Sequence, residues 1–426
     1  MQSVKIAEAL NVSEGGLEDK AKNLTSSLDN GDSQHEQIDS GTALQQFLDR
    51  IPISSIPGIK NSPVLELKAG DSIRDAIRTL YEKDVFSAAI VDMLDSDADN
   101  IMFSDQYIGL VDFTSMVLWC LEEYEKTTDN LEYIKHCGFF SVLDHIPQIG
   151  QTKISELAMS FLWEPFFPVN LDDTVFHALL LLSKHLVHVL PVIQQREDGL
   201  IGFVTQNAVV QHLLQSSELE WFDSIADKKL SDLRFEGLEN PSCVFSDQTV
   251  ADALKTFWQN QTSAVAVVDR QTKKLLGNVR KSDVHILVRN NDIFRSRTVL
   301  TVGEFIHMET DKAETKPRIE RDHGAFLTAG SLRLKNSFIP RMDFPVACKE
   351  NATLKQIMEH TTATNSSFSF LVNDKEQVTG FLTLRDIILQ FAPPCVNSTI
   401  NGGGFFEFAL EQSGCQVKDG TMIRNH

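Results

Sequence analysis

Two hydrophobic periods alternate along this chain in a fixed order. After Pro168, Val169 and Leu171 alternate as in a strand, and Val175, Ala178, Leu179 and Leu182 then recur at the three-and-four spacing of a helix face, with Thr174 at the N-cap position. Residues 189–193 and 200–204 follow as short apolar runs separated by polar residues, which predicts two further strands. The same succession occurs three more times. Val64, Leu65 and Leu67 precede Ile73, Ala76, Ile77 and Leu80; Cys243, Val244 and Phe245 precede Val250, Ala253, Leu254 and Phe257; Val346 and Cys348 precede Leu354, Ile357 and Met358. Ser72 with Asp75, Thr249 with Asp252 and Thr353 with Gln356 stand at capping-box spacing, so three helix starts are fixed by local chemistry.

Each succession ends on a glycine that opens a third strand and a final helix. Gly109, Gly202, Gly277 and Gly380 begin the phrases GLVDFTSM, GFVTQNAV, GNVRKSDV and GFLTLRDI. The chain is therefore an internal array of four β-α-β-β-α copies rather than one large domain. A lone copy cannot cover both faces of its small sheet, which predicts that copy one pairs with two and three with four, joined through residues 215–229, with the pairs stacked into a disc.

This pattern resembles the cystathionine-β-synthase (CBS) motif. Four copies, together with the entry phrase LDRIPISS at 48–55, resemble the gamma regulatory subunit of the AMP-activated and sucrose-nonfermenting-type kinases in its plant gamma-type form, over roughly residues 51–394. The resemblance implies an α/β (α+β) fold of four tandem CBS motifs in two paired, Bateman-type modules. The motifs are expected at 46–125, 150–215, 228–290 and 298–394, the last carrying an insertion at 309–343. Residues 1–45, rich in Ser, Gly, Asn, Asp and Glu, are expected to lack a fixed fold, and 395–426 form a C-terminal tail. The function implied is a non-catalytic subunit that scaffolds a kinase catalytic subunit and a beta subunit as a heterotrimer, in the cytoplasm and also the nucleus. The lead-in, with Phe47, Leu48 and Ile51, is expected to be an exposed extended segment that adds to a partner's sheet.

In CBS modules a hydroxyl residue at the strand end and an aspartate three positions on allow a carboxylate to accept from both ribose hydroxyls. A helix N-terminus and basic side chains then hold phosphate. Copy one has Asp112 and Ser115 at these places, copy two Thr205 and Ala208, copy three Arg280 and Asp283, and copy four Thr383 and Asp386. Only copy four keeps both residue types, and capping alone also explains Thr383 with Asp386. The family's basic positions before the middle strand fall on Phe86, Val189, Ser367 and Phe368, and His188 alone matches. The candidate nucleotide residues are thus Asp386, Thr383, Asp283, Arg280, His188 and Thr205, with the cleft between copies three and four. Arg280, Lys281 and Arg385 either compensate for the missing cations or form surface salt bridges. Weak binding of AMP, ADP or ATP is expected, and no cofactor is required.

Composition narrows the alternatives. A formal charge of −20 disfavours nucleic acid and anionic membranes, which select clustered Lys and Arg. The opening MQSVKIAEALNV lacks a signal-peptide core, and the longest apolar run, around 176–182, is too short to span a bilayer, so a soluble intracellular protein is expected. Six cysteines form no CxxC pair, which points to neither a zinc site nor a disulfide framework. Asp95, Asp97 and Asp99 imitate a calcium loop, but Asn100 stands where glycine is needed and Gln106 where a bidentate carboxylate is expected. His185 and His188 face opposite sides of a strand and have no third ligand nearby, so no metal is expected. The insertion carries seven Lys or Arg against six Asp or Glu, a balance that suits a solvated loop or a contact surface. With no P-loop, kinase phrase or GxSxG elbow, an enzyme ranks below a kinase gamma-type subunit and a free-standing adenine-nucleotide sensor that modulates another enzyme.

Overall fold

The hydrophobic successions fold into the elements their periods predict. The computed structural model describes residues 40–92, 106–127, 137–157, 163–185, 187–194, 199–233, 235, 241–308, 332–335, 340–392, 415–418 and 421–424. In copy two, strand Val169–Asn170 lies parallel to Val189–Gln194, which pairs antiparallel with Gly199–Thr205. Helix Val175–Lys184 connects the first two strands, and helix Gln206–Leu214 follows the third. Copies one, three and four repeat this order and these strand directions. The antiparallel register shifts by one residue in every copy, next to the repeat glycine or within two residues of it. That bulge bends the third strand and re-aims the helix that follows it.

Backbone pairing confirms copies one with two and three with four, through exchanged lead-ins. The amides of Ile53 and Ser54 donate to the carbonyls of Asp173 and Leu171, and Val175 donates back to Ile51. In return Ile154 donates to Asp71 and Ile73 to Thr152, so each lead-in is held by the N-terminal turn of its partner's helix. Copies three and four repeat the exchange: Leu230 donates to Ala352 and Leu354 to Lys228, while Val302 donates to Gln248 and Val250 to Leu300. The glycines make the crossing possible. A Cβ on Gly202 would stand 2.1 Å from the carbonyl oxygen of Ile59, and one on Gly277 2.6 Å from that of Met342.

Facing sheets bury Ala89, Tyr107 and Leu110 of copy one against Ile193, Leu200 and Phe203 of copy two. Copies three and four do the same with Ala264, Ala266 and Val268 against Phe368 and Phe370. The helices pack across the pairs. Ile77, Leu80 and Phe113 of copy one share a core with Leu254, Phe257 and Leu287 of copy three, and Leu179, Val209 and Leu213 of copy two share one with Ile357, Met358 and Ile388 of copy four. Each of these fully buried large side chains is worth about 2–5 kcal/mol against alanine, so the four copies cohere through two helical and two sheet interfaces.

Several expectations are corrected. The segment expected to lack a fixed fold, 1–45, ends in structure: Ser40–Leu48 is a helix with Leu44 and Leu48 buried, while 1–39 lie outside the described residues. The lead-in is not an exposed edge for a partner strand. Phe47 and Leu48 are helical, Phe47 packs against Trp221 with tilted rings 5.6 Å apart, Leu48 is wholly buried, Ile51 packs on the same core, and the backbone from 51 to 54 is already spent on copy two. Of the three expected capping boxes, those at Thr249 and Thr353 are complete. At Ser72 the hydroxyl accepts from the Asp75 amide and donates to the Asp75 carboxylate, so the reciprocal arm to the backbone is not formed. The calcium-like aspartates lie outside the described residues, and in the tail 415–418 with 421–424 form an antiparallel hairpin. Among the described residues no helix is long and apolar enough to cross a membrane.

Candidate functional site

The glycine phrases all close a helix N-terminus, each with different residues. In copy four, Asp386 Oδ2 accepts from the Thr383 amide at 2.7 Å and from its hydroxyl at 2.6 Å, while the Thr383 hydroxyl accepts from the Asp386 amide. Copy two keeps only half, with Thr205 Oγ1 accepting from the Ala208 amide. Copy one exchanges the partners: Asp112 accepts from the Ser115 amide at 2.7 Å and from its hydroxyl at 2.5 Å. Copy three converts the cap into a buried ion pair. Asp283 accepts from the Arg280 amide, Nε and Nη2 at 2.8–2.9 Å, and Arg280 Nη1 donates to the Pro340 carbonyl at 2.5 Å.

These four ends surround a cavity of about 180 Å³. Copy one contributes Phe86, Ser87 and Asp112, copy two His188, Thr205 and Asn207, copy three Arg280, Lys281 and Ser282, and copy four Asn365, Ser367 and Phe368. Such a volume is below the ~300–1,000 Å³ of sites that enclose a drug-sized ligand, and suits a phosphate group with its water. The positions aligned with the family's basic residues therefore do face one space, although most are uncharged. Its ionic centre is a pair that joins two copies. Glu164, on the short strand Trp163–Glu164 that extends the sheet of copy one, reaches Nδ1 of His188 in copy two at 2.5 Å. The charge of Glu164 raises the His188 pKa above its ordinary value, against burial and Lys281. Burial opposes ionisation of Glu164, but His188, aided by Lys281, outweighs it and holds the carboxyl below its usual range. Each partner of the pair thus favours the charged form of the other.

His188, Thr205 and Arg280 are brought together on this wall, whereas Asp283, Thr383 and Asp386 are not among the lining residues. The cavity is accordingly shared by all four copies, where the sequence placed the nucleotide cleft between copies three and four. Arg385 is neither a lining residue nor a surface salt bridge, since its Nη2 donates to the carbonyl of Ser183. His185 stacks on Phe167 at 4.2 Å, away from His188. Among the described residues no three His, Cys, Asp or Glu are grouped to hold a metal. Sequence reasoning missed Glu164, whose strand is two residues long, and Leu332 with Arg333, which come from the insertion. No periodic signal marks either segment. The described parts of the insertion are also neither a solvated loop nor a free surface throughout, because Leu332, Leu334 and Met342 are buried.

The model of the CBS domain matches residues 155–215 and 342–392, which are copies two and four. The SNF1-related protein kinase regulatory subunit gamma-1 of Arabidopsis thaliana is 26% identical over 84% of this chain and 86% of its own. The gamma-1-like subunit of the same plant is 21% identical over 90% and 96%. Among solved structures, a Methanocaldococcus jannaschii protein proposed as an archaeal homologue of g-AMPK superposes with a TM-score of 0.49 at 15% identity, covering 80% of this chain and all of that one. The β-α-β-β-α order is present four times, the CBS-domain model matches two of the four copies, and the chain is similar along most of its length to plant kinase gamma subunits.

Proposed function

We propose that this chain is a non-catalytic, gamma-type regulatory subunit of a serine/threonine kinase complex, holding a catalytic and a beta subunit, and that its central cavity takes the phosphate end of an adenine nucleotide weakly. The observation that carries the reading is that all four copies deliver residues to one cavity with a fixed ion pair, in a chain that aligns nearly end to end with proteins named as gamma subunits. A regulatory ligand held there touches every copy at once, so its occupancy can bias how the two modules pack and what their outer surface presents. The ribose carboxylates are engaged in caps and in an ion pair, which supports weak binding over tight sensing.

Co-expression with kinase catalytic and beta subunits tests the first half: one complex should elute from gel filtration at low and at physiological salt. A chain that elutes alone in both, yet binds AMP in solution, belongs instead to the class of free-standing sensors.

A further inference from the structure

The insertion of the fourth copy returns to the cavity and changes its charge. Its residues 332–335 lie on copy one. The amide of Phe86 donates to the Leu332 carbonyl at 2.9 Å, and the amide of Lys335 donates to Asp84 Oδ1 at 2.7 Å. Lys335 Nζ also donates to the Tyr81 carbonyl and sits 4.0 Å from that ring's centroid. Asp84 can play this part because it is the left-handed C-cap of helix Ile73–Lys83, with φ 57°, and so turns its carboxylate outward. Farther along, Pro340 and Met342 are fastened to copy three by the Arg280 guanidinium and the Asn278 amide. Leu332 and Leu334 are buried, which anchors the segment, while the Arg333 side chain is half exposed and lines the cavity, 3.4 Å from Asp84.

We infer that Arg333 is the phosphate-selecting residue of the cavity, supplied by the insertion beside Phe86, where copy one has no cation of its own. The charges of the wall decide this. Arg280 is paired with Asp283 and His188 with Glu164, so the charges left on the wall are Lys281 and Arg333 against Asp112. With Arg333 in place a phosphate meets a net positive wall. Without it Asp112 cancels what is left, and an anion has no general attraction to a chain this acidic. The single contact with Asp84 is long and solvent-facing, so the guanidinium is cheaply released to a phosphate, which can accept from two of its N–H groups at higher charge. Ligand binding and docking of residues 332–335 then favour each other, as linkage requires.

This rests on the ligand half of the proposed function, and the test separates the two. AMP, inorganic phosphate and adenosine are titrated calorimetrically into the full chain and into Arg333→Ala and Arg333→Lys, with amide hydrogen exchange followed at 332–335. AMP or phosphate should bind the parent chain and adenosine should not. Arg333→Ala should weaken the anions about ten-fold or more, and Arg333→Lys should recover part of the loss. Exchange at 332–335 should slow when the anion is present. Equal affinity in Arg333→Ala, with the parent binding normally, overturns the role of Arg333 and leaves the cavity reading standing. No binding of AMP or phosphate by the parent chain overturns both. Phosphate bound as tightly as AMP supports Arg333 but assigns it to the free anion.

Discussion

Replacing Arg280 by methionine probes the third copy's departure from its family. The side chains of Arg280 and Asp283 are 9% and 4% exposed, and three guanidinium contacts tie them to each other and to Pro340. Methionine fills much of the same volume but leaves the Asp283 carboxylate with only the backbone amide of residue 280 as a partner. Breaking one side of such a pair leaves an uncompensated buried charge, which costs about 3–5 kcal/mol. Removing both charges, with Arg280→Met and Asp283→Leu together, eliminates that penalty. What remains is the lost helix cap, about 1 kcal/mol, so the double variant should be more stable than the single one. Urea unfolding followed by tryptophan fluorescence measures both, because Trp258 packs against the same core and the shift in midpoint scales with the stability change. A loss below about 1 kcal/mol in Arg280→Met, or a double variant as unstable as the single one, would refute the claim that this ion pair is a buried unit.

Gly202→Ala should destabilise by at least about 1–3 kcal/mol, because the new Cβ meets backbone of the exchanged lead-in at Ile59 and neither strand can move freely; thermal melting of the variant checks it. Thr383→Ala should cost about 1 kcal/mol by losing a cap, and should leave phosphate affinity unchanged, since Thr383 is not among the cavity's lining residues; a calorimetric loss of affinity would return Thr383 to the ligand site. The pair His188–Glu164 gives a pH window with two edges. His188 has its folded pKa raised, so its contribution is complete below its unfolded value near 6.5 and is lost as pH rises through the higher folded value. Glu164 has its folded pKa lowered, so its contribution is present above its unfolded value near 4.5 and is lost as pH falls through the lower folded value. The melting-temperature advantage over Glu164→Gln should therefore be largest between those values and shrink above neutrality, and NMR titration of His188 should show its pKa fall in that variant. A flat difference from pH 5 to 9 would refute the pair's role.

Much of this protein was determined by local sequence. Four repeats of one hydrophobic succession specify four small sheets with their helices, since a strand buries alternate residues and a helix every third or fourth whatever lies beyond it. Threonine with a polar residue three places on specified three complete caps for the same reason. The positions before the middle strands were also legible as a group: Phe86, His188, Val189, Ser367 and Phe368 all line one cavity. What tertiary structure alone decided is which chains of residues cross. The lead-in at 51–54, extended and exposed on paper, spends its backbone on copy two, because an unpaired amide buried beside that sheet must find a carbonyl. Asp386 reads from sequence as a ribose ligand or as a cap alone, and the fold shows its carboxylate accepting from the Thr383 amide and hydroxyl. Glu164 and Arg333 reach the site from a two-residue strand and an insertion, separated by long stretches of chain from the residues they meet. Periodicity reports which way a side chain points within its own element; it holds no record of which distant segment will arrive beside it.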